Sequence, residues 1–253
     1  MVRVTACTNQ KGGVGKTTTV INLAAYLALS GTRTLVIDLD PQGNATSGLG
    51  VDRRSVQRSS YEALVDRVPM TDLVHETAVD GLELVPSSPS LSGAEVELVG
   101  VAARERRLAA SLSEMNGRFD RVLIDCPPSL GLLTVNALTA ADGVLIPIQT
   151  EYYALEGLSQ LVNTIRRVRE GLNPRLEIDG VLLTMYDART NLSAQVASEV
   201  RRHMNGTVYE TVVPRSVRLS EAPSHGLPIA LYDPGSRGAH AYAQLAGEVT
   251  ARG

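Results

Sequence analysis

The 253-residue chain has no tryptophan, a single phenylalanine (Phe119), two cysteines and only two lysines. With aromatics this scarce, aliphatic side chains must fill the interior, and a hydrophobic content of 43% supplies enough of them for one large domain or two small ones. Cys7 and Cys126 make neither a disulfide framework nor a metal-spaced cluster, which is the usage of a reducing compartment. No apolar run approaches the ~18 residues of a membrane span, and the N-terminus lacks the charged, apolar, small-residue succession of a secretory signal. A soluble, cytoplasmic protein is expected. The net charge of −3 excludes a global nucleic-acid footprint, so any contact with DNA must come from a local patch.

Both lysines lie in one stretch, residues 8–20 (TNQKGGVGKTTTV), and the other 22 of the 24 basic residues are arginine. A genome-wide exchange of Lys for Arg would produce that bias wherever a charge alone suffices. Retention of lysine here alone indicates a need for a compact ammonium, since a guanidinium fork would not fit the same cradle. Gly15-Lys16-Thr17 reads as the end of a phosphate-binding loop. Gly12, Gly13 and Gly15 let the backbone N–H groups, with those of Val14 and Thr18, close on phosphate oxygens. Lys16 neutralises the outer phosphates, Thr17 offers a hydroxyl to Mg²⁺, and the following helix points its positive end at the anion. The usual pattern has a glycine five residues before Gly15, where this chain has Gln10. The loop instead carries Lys11, which cannot easily curl back onto its own phosphates and so is available to something across from it.

Taken in order, the chain alternates strand and helix patterns. Val2–Cys7 reads as a strand, and residues 17–29 as a helix stopped by Gly31. Near-continuous apolar runs recur at 34–39, 121–124, 143–148 and 178–185, each ahead of a helical pattern. Such runs are strands buried on both faces, so the expected class is α/β: a three-layer, mostly parallel twisted sheet flanked by helices on both faces, as in a phosphate-loop NTPase. Ligands bind at the carboxyl ends of such strands. Region 50–118 is the least patterned, with charged helices expected around a short strand at Leu82–Val85. No repeat, low-complexity tract or linker divides residues 1–253, so a single domain is expected.

Two acidic motifs lie at strand ends. In Asp38-Leu39-Asp40-Pro41, alternation turns both carboxylates toward one site, although aspartates before Pro and Gly also form turns for purely structural reasons. A carboxylate with a pKa near ~4 is a poor general base at neutral pH, so the role expected here is orientation of an attacking water, with slow hydrolysis as the consequence. In Val122-Leu123-Ile124-Asp125-Cys126-Pro127-Pro128-Ser129, Asp125 is placed to hold the water shell of Mg²⁺. Cys126 reads as a small apolar residue beside the sheet, ahead of a reactive thiol or an iron-sulfur ligand.

The segments KGGVGKTT, LVIDLDPQGNATSGLG, LIDCPPSLGLLTVNAL, EYYALEGL, LLTMYDARTN and VVPRSVRLSEAPSHG together resemble the ParA/Soj family of chromosome- and plasmid-partitioning ATPases with the deviant Walker A loop. The resemblance runs from about residue 3 to 250; KGGVGKTT alone marks only the wider group that includes MinD. It implies an ATP-hydrolysing switch using ATP and Mg²⁺, in which the ATP-bound homodimer binds double-stranded DNA non-specifically on the nucleoid and a ParB/Spo0J-type partner stimulates hydrolysis. By the same resemblance, Lys11 crosses a nucleotide-sandwich dimer to the partner's phosphates, and Gly12 sits where the two subunits approach. Asp40 positions the hydrolytic water with Lys11 and Lys16 at the phosphates, while Asp38 and Asp125 complete the outer shell of the Thr17-bound metal. The segments 184–187 and 213–216 flank adenine through Met185 and Pro214, and Arg189 and Arg218 contact DNA.

Nothing in the sequence has the pattern of a helix-turn-helix or zinc finger, so DNA contacts would fall on phosphates and ignore sequence. A MinD-like membrane-associated ATPase would need a basic, apolar amphipathic segment at the C-terminus, and AYAQLAGEVTARG is short of both. The other rivals are a small-carboxylate ligase on the same loop and a non-hydrolysing nucleotide-dependent binding module, the latter disfavoured by Asp40.

Overall fold

The computed structural model of the chain describes residues 2–115, 117–151, 154–204 and 206–252. Its N-terminal half runs β1 (Arg3–Cys7), α1 (Lys16–Leu29), β2 (Thr34–Asp38), α2 (Asn44–Gly48), α3 (Ser60–Leu64), β3 (His75–Glu76), β4 (Leu82–Val85), α4 (Leu91–Glu97) and α5 (Arg107–Ser113). The remainder runs β5 (Arg121–Asp125), α6 (Leu132–Ala140), β6 (Gly143–Gln149), α7 (Ala154–Gly171), β7 (Glu177–Tyr186), α8 (Asn191–His203), β8 (Val208–Pro214), α9 (Val217–Glu221), α10 (Ile229–Tyr232) and α11 (Arg237–Arg252).

The strands form one sheet in the order β3-β4-β2-β5-β1-β6-β7-β8, parallel throughout except for the antiparallel β3–β4 pair. The apolar runs behave as expected: all five residues of β2 are buried, as are the first six of β6. Two hydrophobic clusters, one on each face, complete the three layers. One packs β1, β2 and β5 against α3 to α8, and the other packs Cys7, Val36 and Leu123 against α1 and α11. No helix among the described residues is long and apolar enough to cross a membrane.

Two strands were not legible in the sequence. β3 has two residues, below any periodicity signal. β8 is an edge strand of mixed exposure, with Glu210 outside, rather than a run buried on both faces. Its Glu210 and Thr211 N–H groups donate to the Glu248 carboxylate of α11 at 3.0 and 2.8 Å, which satisfies donors that an edge leaves open. Region 50–118 does hold the strand expected at Leu82–Val85, and its helices are short, of five to seven residues.

Gly180 of β7 lies beneath the Tyr209 ring, where a Cβ would fall 2.4 Å from a ring carbon. The ring also packs against Arg252, whose guanidinium carbon is 4.3 Å from the ring centroid. Gly180→Ala is therefore expected to cost about 1–3 kcal/mol by overpacking, lowering the melting temperature by roughly 2–10 °C for a chain of this size. An unchanged thermal transition would show that the ring moves aside freely.

Candidate nucleotide site

The connection from β1 to α1 is pinned on both sides. Asn9, 5% exposed, donates through Nδ2 to the Pro147 carbonyl at 2.8 Å, and its Oδ1 accepts from the Lys11 N–H at 3.0 Å. The Thr184 hydroxyl donates to the Val14 carbonyl at 2.8 Å. Gly13 and Gly15 take φ of +73° and +88°, a left-handed conformation that glycine adopts without the Cβ penalty and that turns successive N–H groups into an anion cradle. α1 then begins at Lys16, with Thr17 and Thr18 in its first turn and no acidic side chain there to compete for an anion.

The two lysines have opposite environments. Lys16 is buried and donates to the Lys11 carbonyl at 3.2 Å, so its ammonium is folded over the loop itself. Lys11 lies outside the loop with its side chain 45% exposed, its ammonium 3.1 Å from the Glu151 carboxylate. That Glu151 also accepts from Gln149. The sequence left Lys11 available to something opposite; in the single chain its partner is Glu151, a residue whose part was not read from the sequence. Tyr152 and Tyr153 of the same EYYALEGL motif lie outside the described residues.

Strand register places Asp38 and Asp125 side by side at the carboxyl ends of β2 and β5. Both are fully buried, and Asp40 is 7% exposed. Their hydrogen bonding differs sharply. Asp38 accepts from the Asp40 N–H at 3.1 Å, the Thr46 N–H at 2.8 Å and the Thr46 hydroxyl at 2.7 Å, thereby fixing the turn into α2. Asp40 accepts from the Gln42 N–H at 2.9 Å, so the turn-forming role of these aspartates is real and coexists with their position at the loop. Neither Asp125 oxygen has a well-formed hydrogen bond among the described residues, although the Thr17 hydroxyl lies near enough to favour its charged form. Burial pushes its carboxyl well up, reinforced by the neighbouring Asp38 charge, against a smaller pull from the Thr17 hydroxyl and the Lys16 ammonium. Burial likewise raises Asp38, to about 6, although its bonds from Thr46 and Asp40 oppose the shift. Several anionic groups and one buried cation share a space with one carboxylate unbonded, which is an arrangement that a hydrated divalent cation beside Lys16 would complete.

Beside the loop lies a cavity of about 230 Å³ lined by Gly15, Thr18, Thr184, Met185, Pro214 and neighbouring residues of α9 and α11. Met185 has φ +51°, an uncommon conformation for a residue with a long side chain, and the strain falls at this cavity. Cys126 is wholly buried, and burial raises its thiol far above the usual range, so it packs beside the sheet as the sequence indicated. Among the described residues no group of three or more His, Cys, Asp or Glu is placed to hold a metal unaided.

Arg189 and Arg218 emerge just beyond the carboxyl ends of the adjacent strands β7 and β8. Arg189 is 87% exposed and bidentate to Asp187, through Nε at 2.9 Å and Nη2 at 2.7 Å. Arg218 pairs with Glu221 at 3.0 Å and Asp233 at 3.4 Å. Arg215, exposed between them in the chain, was not singled out in the sequence as a charged group of this surface; its N–H donates to the Tyr186 carbonyl, which ties the two strand ends together.

An AAA domain profile matches residues 2–178. The sporulation initiation inhibitor protein Soj of Bacillus subtilis is 58% identical over 253 residues, covering all of both chains. The chain belongs to the ParA/Soj family of chromosome-partitioning ATPases. The chromosome partitioning protein ParA of Caulobacter vibrioides is 54% identical, over 99% of this chain and 95% of that one. A solved structure of cobyrinic acid a,c-diamide synthase from Mycobacterium smegmatis, with bound ADP and magnesium, matches with a TM-score of 0.88 at 40% identity, over 99% of this chain and 94% of that one.

The raised carboxyls give a signed pH dependence. Asp38 titrates near 3.8 when unfolded and about 6 when folded, so the folded, ligand-free chain holds more protons in that window and loses stability as pH rises through it. Asp125 acts in the same direction. Asp125→Asn removes the unbonded charge and is expected to stabilise the ligand-free chain at pH 7.5 by about 1–2 kcal/mol while abolishing stabilisation by Mg²⁺ with nucleotide. Thermal unfolding at pH 5.5 and 7.5 checks this, and equal melting temperatures for variant and wild type at pH 7.5 would contradict it.

Proposed function

We propose that the chain is an ATP- and Mg²⁺-dependent switch for segregating a chromosome or plasmid: its ATP-bound homodimer binds double-stranded DNA without sequence preference, and hydrolysis releases it. The observation that carries this reading is the separation of the two lysines, one folded over the phosphate cradle and the other held outside it. Lys16 and Thr17 bind phosphate and Mg²⁺, with Asp125 receiving the metal's water shell and Asp38 holding the adjoining turn and completing that shell. Asp40 orients the attacking water, and Met185 and Pro214 enclose adenine in the cavity beside Gly15 and Thr18. The intrinsic turnover is slow because a carboxylate orients water but deprotonates it poorly.

Lys11 reaches the phosphates of a second copy in the dimer. Its pair with Glu151 is solvent-exposed and worth only about 0.2–1 kcal/mol, so it yields readily to a multiply charged phosphate. Gly12 supports the same reading. Its φ is not positive and a Cβ there would meet nothing within 4 Å, so neither the backbone nor the chain's own packing calls for glycine. An approaching copy of the chain would.

Dimerisation doubles the phosphate contacts of Arg189 and Arg218. With two contacts per subunit, the slope of log K against log salt steepens from roughly −1.8 to roughly −3.6. Nucleotide state thereby controls DNA affinity, nucleoid association follows from it, and a ParB/Spo0J-type partner triggers release by stimulating hydrolysis. The 40% identity to a cobyrinic acid a,c-diamide synthase favours a second reading, nucleotide-dependent chemistry on a small acid. The partitioning relatives are nearer, at 54% and 58% identity over nearly the whole chain. Phosphate release that responds to a small acid and not to DNA would favour the second reading.

The test is DNA binding by Asp40→Ala with ATP and Mg²⁺ across a salt titration, beside Asp40→Ala/Lys11→Ala. The single variant is expected to bind random-sequence DNA with the steep slope, and the double variant to lose it. Equal binding by the two, or equal binding with ADP and ATP, would contradict the proposal.

A further inference from the structure

A cavity of about 360 Å³ lies apart from the phosphate loop, between α3, α5 and the turn that precedes α5. Arg67, Arg106 and Arg107 line it, with Glu114 as the one acidic group and small apolar side chains such as Ala63 and Val68 forming the rest of its wall. Arg107 and Ser111, four residues apart, share a face of α5, and Glu114 follows its last residue.

Two features set this cavity apart from an ordinary surface cleft. The Nε and Nη1 of Arg107 and the hydroxyl of Ser111 are shielded from solvent and have no hydrogen-bond partner among the described residues, and Ser111 is only 8% exposed. A guanidinium stays charged throughout the accessible pH range, and although Arg107 is only half-buried, leaving two of its donors shielded and unpaired is costly. Burial and then the like charge of Arg67 act against the Arg107 cation, and no described carboxylate contributes to offset them. Arg106 is committed elsewhere, donating to the Leu172 carbonyl at 3.0 Å. The second feature is backbone strain: Arg67 and Ala103, both lining the cavity, have φ of +58° and +53°, a left-handed conformation costly for residues with a Cβ. Strain and unpaired donors together on one cavity indicate a ligand that supplies acceptors.

We propose that this cavity binds a small molecule with one oxyanion head, a carboxylate or a phosphate monoester, on a compact apolar body. The head accepts from Arg107 and Ser111, with Arg67 adding charge at the mouth, and the body lies against the alanine and valine side chains. A volume of about 360 Å³ exceeds what a bare phosphate fills and falls in the usual range for small-ligand pockets.

The experiment uses the full chain saturated with Mg²⁺ and ADP, so that the phosphate loop is occupied. Hexanoate, monohexyl phosphate and the neutral control hexanol are titrated by ligand-observed NMR against wild type, Arg107→Met and Ser111→Ala. At least one anion is expected to bind about tenfold or more tighter than hexanol, and which anion does so identifies the head. A tenfold margin is about 1.4 kcal/mol, within what a charged hydrogen bond supplies. Arg107→Met should erase the margin and Ser111→Ala should reduce it several-fold. No margin over hexanol, or a margin unchanged in both variants, would overturn the proposal. Should Arg107→Met fail to fold, Ser111→Ala decides by the same criterion.

Discussion

The arrangement depends on one electrostatic constraint. β2 and β5 end side by side, so their aspartates meet inside the protein, and Asp125 does so without a well-formed hydrogen bond. A buried carboxylate in that condition raises its pKa or recruits positive charge. The chain provides one buried ammonium, Lys16, and a threonine hydroxyl on the first turn of the next helix. The site is therefore structurally complete but electrostatically unfinished, as expected of a site built for a metal and a polyanion together.

Around that centre the charges become progressively easier to exchange. Asp38 is locked by three hydrogen bonds and holds the turn that carries Asp40. Glu151 holds Lys11 only through an exposed pair, which salt screens and a stronger anion displaces. Arg189 and Arg218 are likewise on exposed pairs at the ends of β7 and β8. A buried, hydrogen-bonded centre at the ends of β2 and β5, with cations on exposed and exchangeable pairs at its rim, is the arrangement the proposed switch requires.

Much of this was legible in the sequence, for reasons specific to particular residues. Central strands such as 34–38 and 143–149 bury both faces and so appear as unbroken apolar runs. The loop announces itself because glycine, lysine and threonine each have a separate task there. β8 was missed because an edge strand buried partly on one face carries Glu210 and Thr211 among its valines. Glu151 was missed as the partner of Lys11 because the two lie 140 positions apart and meet only through the neighbouring strands β1 and β6. The hydrogen bonds that distinguish Asp38 from Asp125 were equally hidden, since Thr46 lies on a helix of five residues that no periodicity marks.

The central claim is that nucleotide with Mg²⁺ completes the site and draws Lys11 onto a second copy of the chain. Sedimentation velocity of Asp40→Ala, without DNA, tests it most directly. The account predicts a species of twice the chain mass with ATP and Mg²⁺, and the single chain with ADP and Mg²⁺ or with ATP and a chelator. A single chain in all three conditions, or a dimer indifferent to them, would contradict it.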